Sequence, residues 1–282
     1  MKKKINIIVK TDCNLIDCLK TQGLSKNKVK TYVKLGFILV NNKKITKLPF
    51  NVKVGDIVTI DENQTTTTNF KIIYEDSNYL VVDKDAGLLT ISTSTTNKNN
   101  ELTLYRLVRE YLNNKHEYAF IVNRIDKETS GLVIFVKNEQ LKEKLQSNWN
   151  NIVKIRGYIA IVSGKISKAG RIENYLYEDK LTFSHSTKVG GKLAITNYKP
   201  IKKNDKYTML DINIETGRKN QIRVHMTEMH HPIVGDKKYY SKDNSLKRLA
   251  LHHYEIALID PITNKLLKFT SEVPNEFYKL FN

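Results

Sequence analysis

The chain has 282 residues, 40% of them hydrophobic, and a formal net charge of +18. This length suffices for one large and one small domain with a buried core. The apolar stretches are far shorter than the roughly 20 residues that a membrane-spanning helix needs, so we predict no transmembrane segment. The charge favours a polyanionic partner, and without an amphipathic anchor we expect nucleic acid rather than membrane.

Lysine accounts for most of this charge, because only eight of the 47 basic residues are arginine. An AT-rich genome also enriches lysine and asparagine, which leaves a compositional origin for part of the charge open. An arginine in this chain is therefore a stronger indication of function than a lysine. The two cysteines, Cys13 and Cys18, fit neither a zinc-ligand spacing nor a disulfide framework. They predict reduced thiols in a cytoplasmic protein.

Residues 1–60 carry thirteen lysines and three aspartates, a local charge of +10. The basic start is expected to form a strand rather than an export signal, because Lys10 and Asp12 end its apolar run early. Apolar spacing and the turn signals predict two helices over 14–20 and 25–35, the second capped by Ser25. Short strands are predicted over 37–40, 44–45 and 54–60.

Two basic helices followed by a small sheet that ends in Val54-Gly55-Asp56-Ile57-Val58 resemble the RNA-binding domain named after ribosomal protein S4. The resemblance implies that domain over 1–60. An unrelated basic subdomain with a solvated lysine face is the alternative. The predicted RNA contacts on the second helix are Lys26, Lys28, Lys30 and Lys34.

The polar segment 61–69 is the predicted linker, and the pattern changes after it. Short strands are predicted near 71–74, 79–82, 131–137, 158–162 and 207–214, and helices near 101–113, 138–150 and 219–230. Because regular strand–helix alternation is lacking, we expect an α+β domain over 70–282, with a largely antiparallel mixed sheet flanked by helices. The polar stretch 92–100 is expected to be a mobile surface loop.

Asp126 lies in a turn-forming stretch immediately before the apolar strand 131–137. A buried strand is a rigid support for a loop carboxylate. Aspartate is also common in turns for backbone hydrogen bonding alone. From this segment by itself, a nucleophile and a plain turn residue are equally good interpretations of Asp126.

The same segment resembles the Rlu-type RNA pseudouridine synthases, whose motif is His-Arg-Leu-Asp, two variable residues and Thr-Ser-Gly. This chain has Asn123-Arg124-Ile125-Asp126 and then Thr129-Ser130-Gly131. Further matches in the family's order cover nearly all of 70–282, at Tyr79–Lys84, Arg156–Tyr158, Glu215–His225, His231–Asp236, Arg248–His252, Asp260–Thr263 and Val273–Phe277. The resemblance implies the pseudouridine synthase fold and activity.

The resemblance implies that Asp126 is the catalytic carboxylate, either as nucleophile at the sugar or by assisting formation of an unsaturated sugar. It implies that Arg223 pairs with Asp126 and opposes the pKa rise that burial causes. It also implies that Tyr158 stacks on the base and helps remove the carbon-bound proton, with stacking the safer role because a phenol is a poor base. A surface arginine and a core tyrosine are the alternatives.

Arg124 matches the family position that enters the RNA when the target base flips out of its stack. A structural ion pair is its alternative. Asn123, Thr129, Arg218 and Gln221 are implied active-site or RNA contacts by the same match. Asn123 and Asn220 replace family histidines, and Lys219 replaces threonine, which leaves target preference in doubt.

We expect a monomeric isomerase that acts on specific uridines in large-subunit ribosomal RNA and has no membrane partner. The histidines lack metal-ligand spacing and no nucleotide-binding glycine loop occurs, so no metal and no cofactor are predicted. The alternative function is a non-catalytic RNA-binding or ribosome-assembly factor on the same scaffold. A nuclease would need a metal cluster or a histidine-based pair that the sequence does not offer.

Overall fold

The computed structural model describes residues 4–34, 36–45, 47–61, 70–92, 102–179, 183–187, 190–239, 241, 243 and 245–282. Two compact units divide the chain: Met1–Asn69 with Ile91–Lys115, and Phe70–Thr90 with His116–Asn282. Within the described ranges, no helix combines the length and apolar character needed to cross a membrane. Most of the predicted linker and of the predicted mobile loop, 62–69 and 93–100, lies outside the described residues.

The first unit contains a four-stranded sheet in the order β1-β6-β3-β4, in which each neighbouring pair is antiparallel, and a short β2–β5 pair. Ser25 caps the second helix through a bond from the backbone N–H of Lys28 to its Oγ (3.2 Å), as predicted. The elements are β1 (Lys4–Ile8), β2 (Cys13–Asn14), α1 (Leu15–Lys20), α2 (Lys26–Lys34), β3 (Ile38–Val40), β4 (Lys43–Lys44), β5 (Asn51–Val52), β6 (Ile57–Asp61) and α3 (Leu104–Asn113).

The second unit is built on an 11-stranded mixed sheet. Its elements are β7 (Lys71–Glu75), β8 (Tyr79–Lys84), β9 (Phe120–Ile121), β10 (Ser130–Val136), α4 (Glu139–Ser147), α5 (Trp149–Ile152), β11 (Val153–Ser163), β12 (Gly170–Glu178), β13 (Ser184–Thr187), β14 (Lys192–Lys203), β15 (Tyr207–Ile214), α6 (Gln221–Glu228), β16 (Leu251–Ile259), β17 (Leu266–Thr270), α7 (Asn275–Tyr278) and a 3₁₀ helix (Lys279–Phe281).

The sheet runs β13-β12-β14-β15-β11-β16-β10-β8-β7, with β17 beside β16 and β9 beside β10. In the described part of the unit, only β10 and β16 pair in parallel, and the other strand pairs are antiparallel. The α+β architecture with a largely antiparallel sheet is therefore confirmed. The strands β9, β12, β13, β14, β16 and β17 were not predicted from the sequence.

Strand β10 is buried along its whole length, which explains its continuous apolar sequence. Leu132, Ile134 and Val136 belong to a core cluster that also contains Leu141 and Leu145 of α4. Burying one such side chain contributes about 1.5–3 kcal/mol. The strand therefore gives the preceding loop a fixed base.

Gly131 is required at the start of β10. Its φ is +114°, and a Cβ atom there would lie 2.3 Å from the backbone oxygen of His253. Gly131 pairs with His253 where β10 and β16 run in parallel, so the two backbones approach closely at this point. The glycine of the Thr-Ser-Gly segment thus permits the strand pairing that supports the Asp126 loop.

Candidate active site

The loop between β9 and β10 carries Asp126, and hydrogen bonds hold its backbone on both sides of that residue. Thr90 Oγ1 donates to the carbonyl oxygen of Ile125 (2.7 Å), and the backbone N–H of Gly87 donates to that of Lys127 (2.8 Å). The N–H of Thr129 closes a turn on the carbonyl of Asp126 (3.2 Å). The position of the Asp126 backbone is therefore fixed by the second unit itself.

Lys84 provides a further support for the same loop. Its side chain is fully buried, and Nζ donates to the carbonyl oxygens of Asp85 (2.9 Å), Leu88 (2.7 Å) and Lys127 (3.0 Å). Burial lowers the pKa of Lys84 to about 7, although the carboxylates of Glu128 and Asp126 oppose this shift. Its place in the apolar run of β8 signals burial in the sequence, but not its three acceptors.

The Asp126 side chain is half-buried, and no described side chain donates a hydrogen bond to its carboxylate. Burial raises its pKa, and the positive charges of Arg223, Lys238, Arg124 and Lys84 oppose that rise. A carboxylate without hydrogen-bond donors keeps its oxygens available to a ligand. The arrangement suits a nucleophile held among cations.

Arg223 does not form the predicted direct pair with Asp126. Its Nε donates to Asp236 Oδ2 (2.8 Å) and its Nη2 to Asp236 Oδ1 (2.6 Å), while Nη1 donates to Asn220 Oδ1 (3.0 Å). Arg223 and Asp236 are both buried, and one bidentate contact occupies the Nε edge of the guanidinium. Arg223 acts on Asp126 through its charge. No role for Asp236 was predicted from the sequence.

Tyr158 of β11 lies near Asp126 and is 9% exposed. Its ring stacks on the His253 ring with a centroid distance of 4.4 Å and an interplanar angle of 15°. Burial and the charge of Asp126 raise the pKa of the Tyr158 hydroxyl. The raised pKa disfavours the phenolate form that proton removal needs, which is consistent with stacking as the role of Tyr158.

His253 is a neutral support for Tyr158. Its Nδ1 bonds to the carbonyl oxygen of Leu132 (2.8 Å), and burial lowers the pKa of the imidazole to about 4. In the sequence this histidine suggests only a metal ligand, a role that its spacing disfavours. In the described residues no group of three potential metal-ligating side chains converges, and the absence of a metal stays a prediction.

The predicted RNA contacts of the second unit fall into two groups. Arg124 is exposed, and Asn123 and Arg218 are half-buried, with Asn123 Oδ1 accepting from the N–H of Ile134 (2.7 Å) and Arg218 Nε donating to the carbonyl of Leu193 (2.8 Å). Gln221 and Thr129 differ from their prediction, because they are only 3% and 2% exposed.

Gln221 is a structural residue in this fold. Its Nε2 donates to the Ile195 carbonyl (2.9 Å) and to Thr196 Oγ1 (3.0 Å), and its Oε1 accepts from Thr216 Oγ1 and the Arg218 N–H. These bonds tie α6 to β14. The amide therefore has no free group for RNA.

The lysines predicted to bind RNA belong to the first unit. Lys26, Lys28 and Lys30 are exposed on α2, and Lys28 Nζ lies 5.4 Å from the Tyr32 ring centroid. The side chain of Lys34 lies outside the described residues. The exposed lysines keep their charges in solvent, as the helical pattern predicts.

Comparisons with known proteins point to one family. The family described as RNA pseudouridylate synthase matches residues 78–228. The ribosomal large subunit pseudouridine synthase D of Haemophilus influenzae is 29% identical over 287 residues, covering 92% of this chain and 86% of that protein. Its namesake in Borreliella burgdorferi is 38% identical over 217 residues, covering 73% and 66%.

The fold has counterparts among solved structures. The human protein RNA Pseudouridylate Synthase Domain Containing 1 aligns with a TM-score of 0.63 at 18% identity, covering 78% of this chain and 89% of that one. At this identity the similarity shows the fold alone.

Proposed function

The chain belongs to the RNA pseudouridylate synthase family, and from this we propose that it isomerises specific uridines of large-subunit ribosomal RNA with Asp126 as its nucleophile. The family makes it an isomerase that acts on RNA. Two of its relatives are named as ribosomal large subunit synthases, which supports the ribosomal target. Within enzyme classes the proposed reaction is an intramolecular transfer.

The carbon–nitrogen bond between ribose and uracil breaks, the base rotates, and carbon 5 of uracil bonds to the same sugar carbon. Carbon 5 loses a proton and the former bonding nitrogen gains one, so atoms balance without water. Asp126 attacks the sugar or assists formation of an unsaturated sugar intermediate. The single observation that carries this role is its carboxylate, which receives no hydrogen bond from a described side chain and lies among four cations.

The other residues divide the remaining tasks. Arg124 is exposed two residues before Asp126 and is proposed to enter the RNA where the target uridine flips out. Tyr158 is proposed to stack on the base, and Arg223 to keep Asp126 ionised through its charge. Asn123 and Arg218 are proposed to contact the RNA backbone.

Residues 1–60 are proposed to form an S4-like domain that adds RNA affinity through the lysines of α2. The protein is proposed to act as a cytoplasmic monomer that needs neither metal nor cofactor. The alternative is a binding factor without activity. The enzyme and the inactive binding factor would both bind RNA, so only an activity assay separates them.

The test substitutes Asp126 by asparagine and measures pseudouridine formation in ribosomal RNA from a strain that lacks the gene. We expect no product with Asp126→Asn but unchanged RNA binding, and full activity with the control Asp205→Asn, an exposed aspartate paired with Lys165. Mapping pseudouridines with and without the gene identifies the target. Activity retained by Asp126→Asn excludes the mechanism, and no activity in the unmodified protein favours the binding factor.

A further inference from the structure

A cleft with a volume of about 290 Å³ opens in the second unit beside the Asp126 loop. Asn123 and Arg124 of this loop line the cleft, as do Tyr158 and His253, whereas Asp126 does not. The cleft is thus adjacent to the reacting carboxylate and separate from it. Its size is close to the lower end, about 300 Å³, of pockets that hold small ligands.

The cleft is cationic. Three of the eight arginines in the chain, Arg124, Arg156 and Arg218, line it, and the lining includes no aspartate or glutamate. A concave surface with this charge attracts an anion. Arginine also binds phosphate oxygens in a bidentate manner.

Arg156 is the strongest single indication of an anion. It is only 8% exposed, and no described carboxylate oxygen lies within 4.0 Å of its guanidinium. Its Nη2 donates to the backbone carbonyl of Glu215, whose carboxylate is instead engaged by Arg171 and Asn197. Burial lowers the pKa of Arg156, and Arg218 adds to that shift. The charge of Glu215 opposes this shift, but its carboxylate forms no ion pair with Arg156, so an anion bound in direct contact would stabilise the buried cation.

The cleft also offers flat apolar surfaces. Trp149, the single tryptophan of the chain, lines it from α5 and packs against the core with its other atoms. Nucleobases stack on aromatic rings whatever their identity. Aromatic surface together with arginines matches a ligand that carries both a phosphate and a base.

We propose that this cleft is a second nucleotide subsite, which binds an unpaired ribonucleotide next to the target uridine. Its phosphate lies on Arg156 and Arg218, and its base packs against Trp149. The inference rests on the proposed function for the identity of the RNA. Since Tyr158 and Arg124 border the cleft and belong to the proposed active site, the nucleotide bound here is a neighbour of the target in the chain.

Trp149 gives a direct signal for binding, because it lines the cleft and is the single tryptophan of the chain. We titrate the full chain with a short oligouridylate and follow the tryptophan emission. Saturable quenching is expected, and Arg156→Ala is expected to raise the apparent Kd about tenfold, as for loss of a hydrogen bond to a charged group. Arg218→Ala is expected to act in the same direction. Uridine without phosphate is expected to quench far more weakly.

Lys165→Ala, which removes a positive charge that does not line the cleft, is the control and is expected to leave the titration unchanged. Circular dichroism melting checks each variant, and Arg218→Ala carries the test if Arg156→Ala does not fold. Absence of quenching, or equal affinity in folded Arg156→Ala and Arg218→Ala variants, overturns the subsite.

Asp126→Asn separates this inference from the proposed function. We expect this variant to lose isomerisation and to retain quenching, because Asp126 does not line the cleft. Absent quenching, with isomerisation that depends on Asp126, overturns the subsite alone. Isomerisation retained by Asp126→Asn overturns the proposed mechanism, whatever the fluorescence titration gives.

Discussion

The Asp126 loop and helix α2, the two segments proposed to contact RNA, present their charges in opposite ways. Hydrogen bonds from the side chains of Thr90 and Lys84 hold the loop at the carbonyls of Ile125 and Lys127. The carboxylate of Asp126 interacts with cations that include the buried Arg223 and Lys84. On α2 the lysines extend into solvent. The charges around Asp126 are therefore few and fixed in position, whereas the exposed lysines of α2 act together.

This difference predicts how each region responds to substitution. Removal of one buried group leaves its partner without compensation in a medium where charges interact strongly. Removal of one exposed lysine changes only a small part of the electrostatic field of α2, which salt screens. Four substitutions test this contrast, in order of decreasing effect.

Asp236→Ala is expected to have the largest effect, because it leaves Arg223 buried without its bidentate partner. Breaking a buried pair from one side costs about 3–5 kcal/mol. Urea unfolding followed by circular dichroism measures the loss, and Asp205→Ala, which removes one partner of an exposed pair, is expected to be unchanged. Equal stability of the two variants would contradict the role of burial.

Gly131→Ala is expected to be the next most damaging. The added Cβ would meet the His253 backbone at 2.3 Å, and alanine rarely adopts a φ of +114°. Overpacking and backbone strain each cost about 1–3 kcal/mol, so we expect a loss of about 2–4 kcal/mol in the free energy of unfolding. Gly217→Ala, where the nearest atom is 3.7 Å away, is the matched control for stability. A similar small loss in both would show that β10 and β16 separate easily.

Lys84→Met is expected to change the pH dependence of stability. The pKa of Lys84 is lowered from 10.5 to about 7 in the folded protein, so between these values the unfolded chain binds more protons than the folded one. The free energy of unfolding therefore rises with pH in this window, by at most ~1.4 kcal/mol per pH unit from this group. Below pH 7 Lys84 is charged in both states, so the full cost of burying its charge lowers the free energy of unfolding.

The measurement is urea unfolding at several pH values across that window. Lys84→Met is expected to remove the rise that the unmodified protein shows, whereas Lys165→Met, an exposed lysine, is expected to keep it. An identical pH slope in Lys84→Met and the unmodified protein would mean that Lys84 remains charged throughout. Such a result would place the origin of the pH dependence at another group.

The sequence predicted the parts of this fold that have strong periodicity. Strand β15 was predicted with its observed bounds, and the prediction for β10 was displaced by one residue at each end. The continuous apolar sequence of β10 reflects its complete burial, and β15 alternates apolar and polar residues in its second half. Strand β12 alternates partly buried and exposed positions over most of its length, and β14 is buried only over 194–196. Their pairing depends on neighbours distant in sequence, which a local pattern does not report.

The candidate site was predictable to a similar extent. Asp126 and Tyr158 were found from motifs and lie near each other in the structure. The partner of Arg223 was predicted wrongly, because the choice between Asp126 and Asp236 depends on where the chain returns after α6. Burial of Gln221 and Thr129 was missed for the same reason, since polar residues in a motif give no sign of being internal.

Substitution of Lys26, Lys28 and Lys30 by alanine tests the exposed side of the comparison and is expected to have the smallest effect per residue. Removing one lysine–phosphate interaction reduces the slope of log affinity against log salt by about 0.7–0.9, so the slope for the triple variant is expected to fall by about 2–3. Isomerisation of saturating RNA is expected to be unchanged, because Asp126 and its surroundings belong to the other unit.

Filter binding at several salt concentrations measures the slope, and single variants are expected to contribute equally. A dominant effect of one lysine would instead indicate a specific interaction, so that α2 would resemble the Asp126 loop in how it recognises RNA.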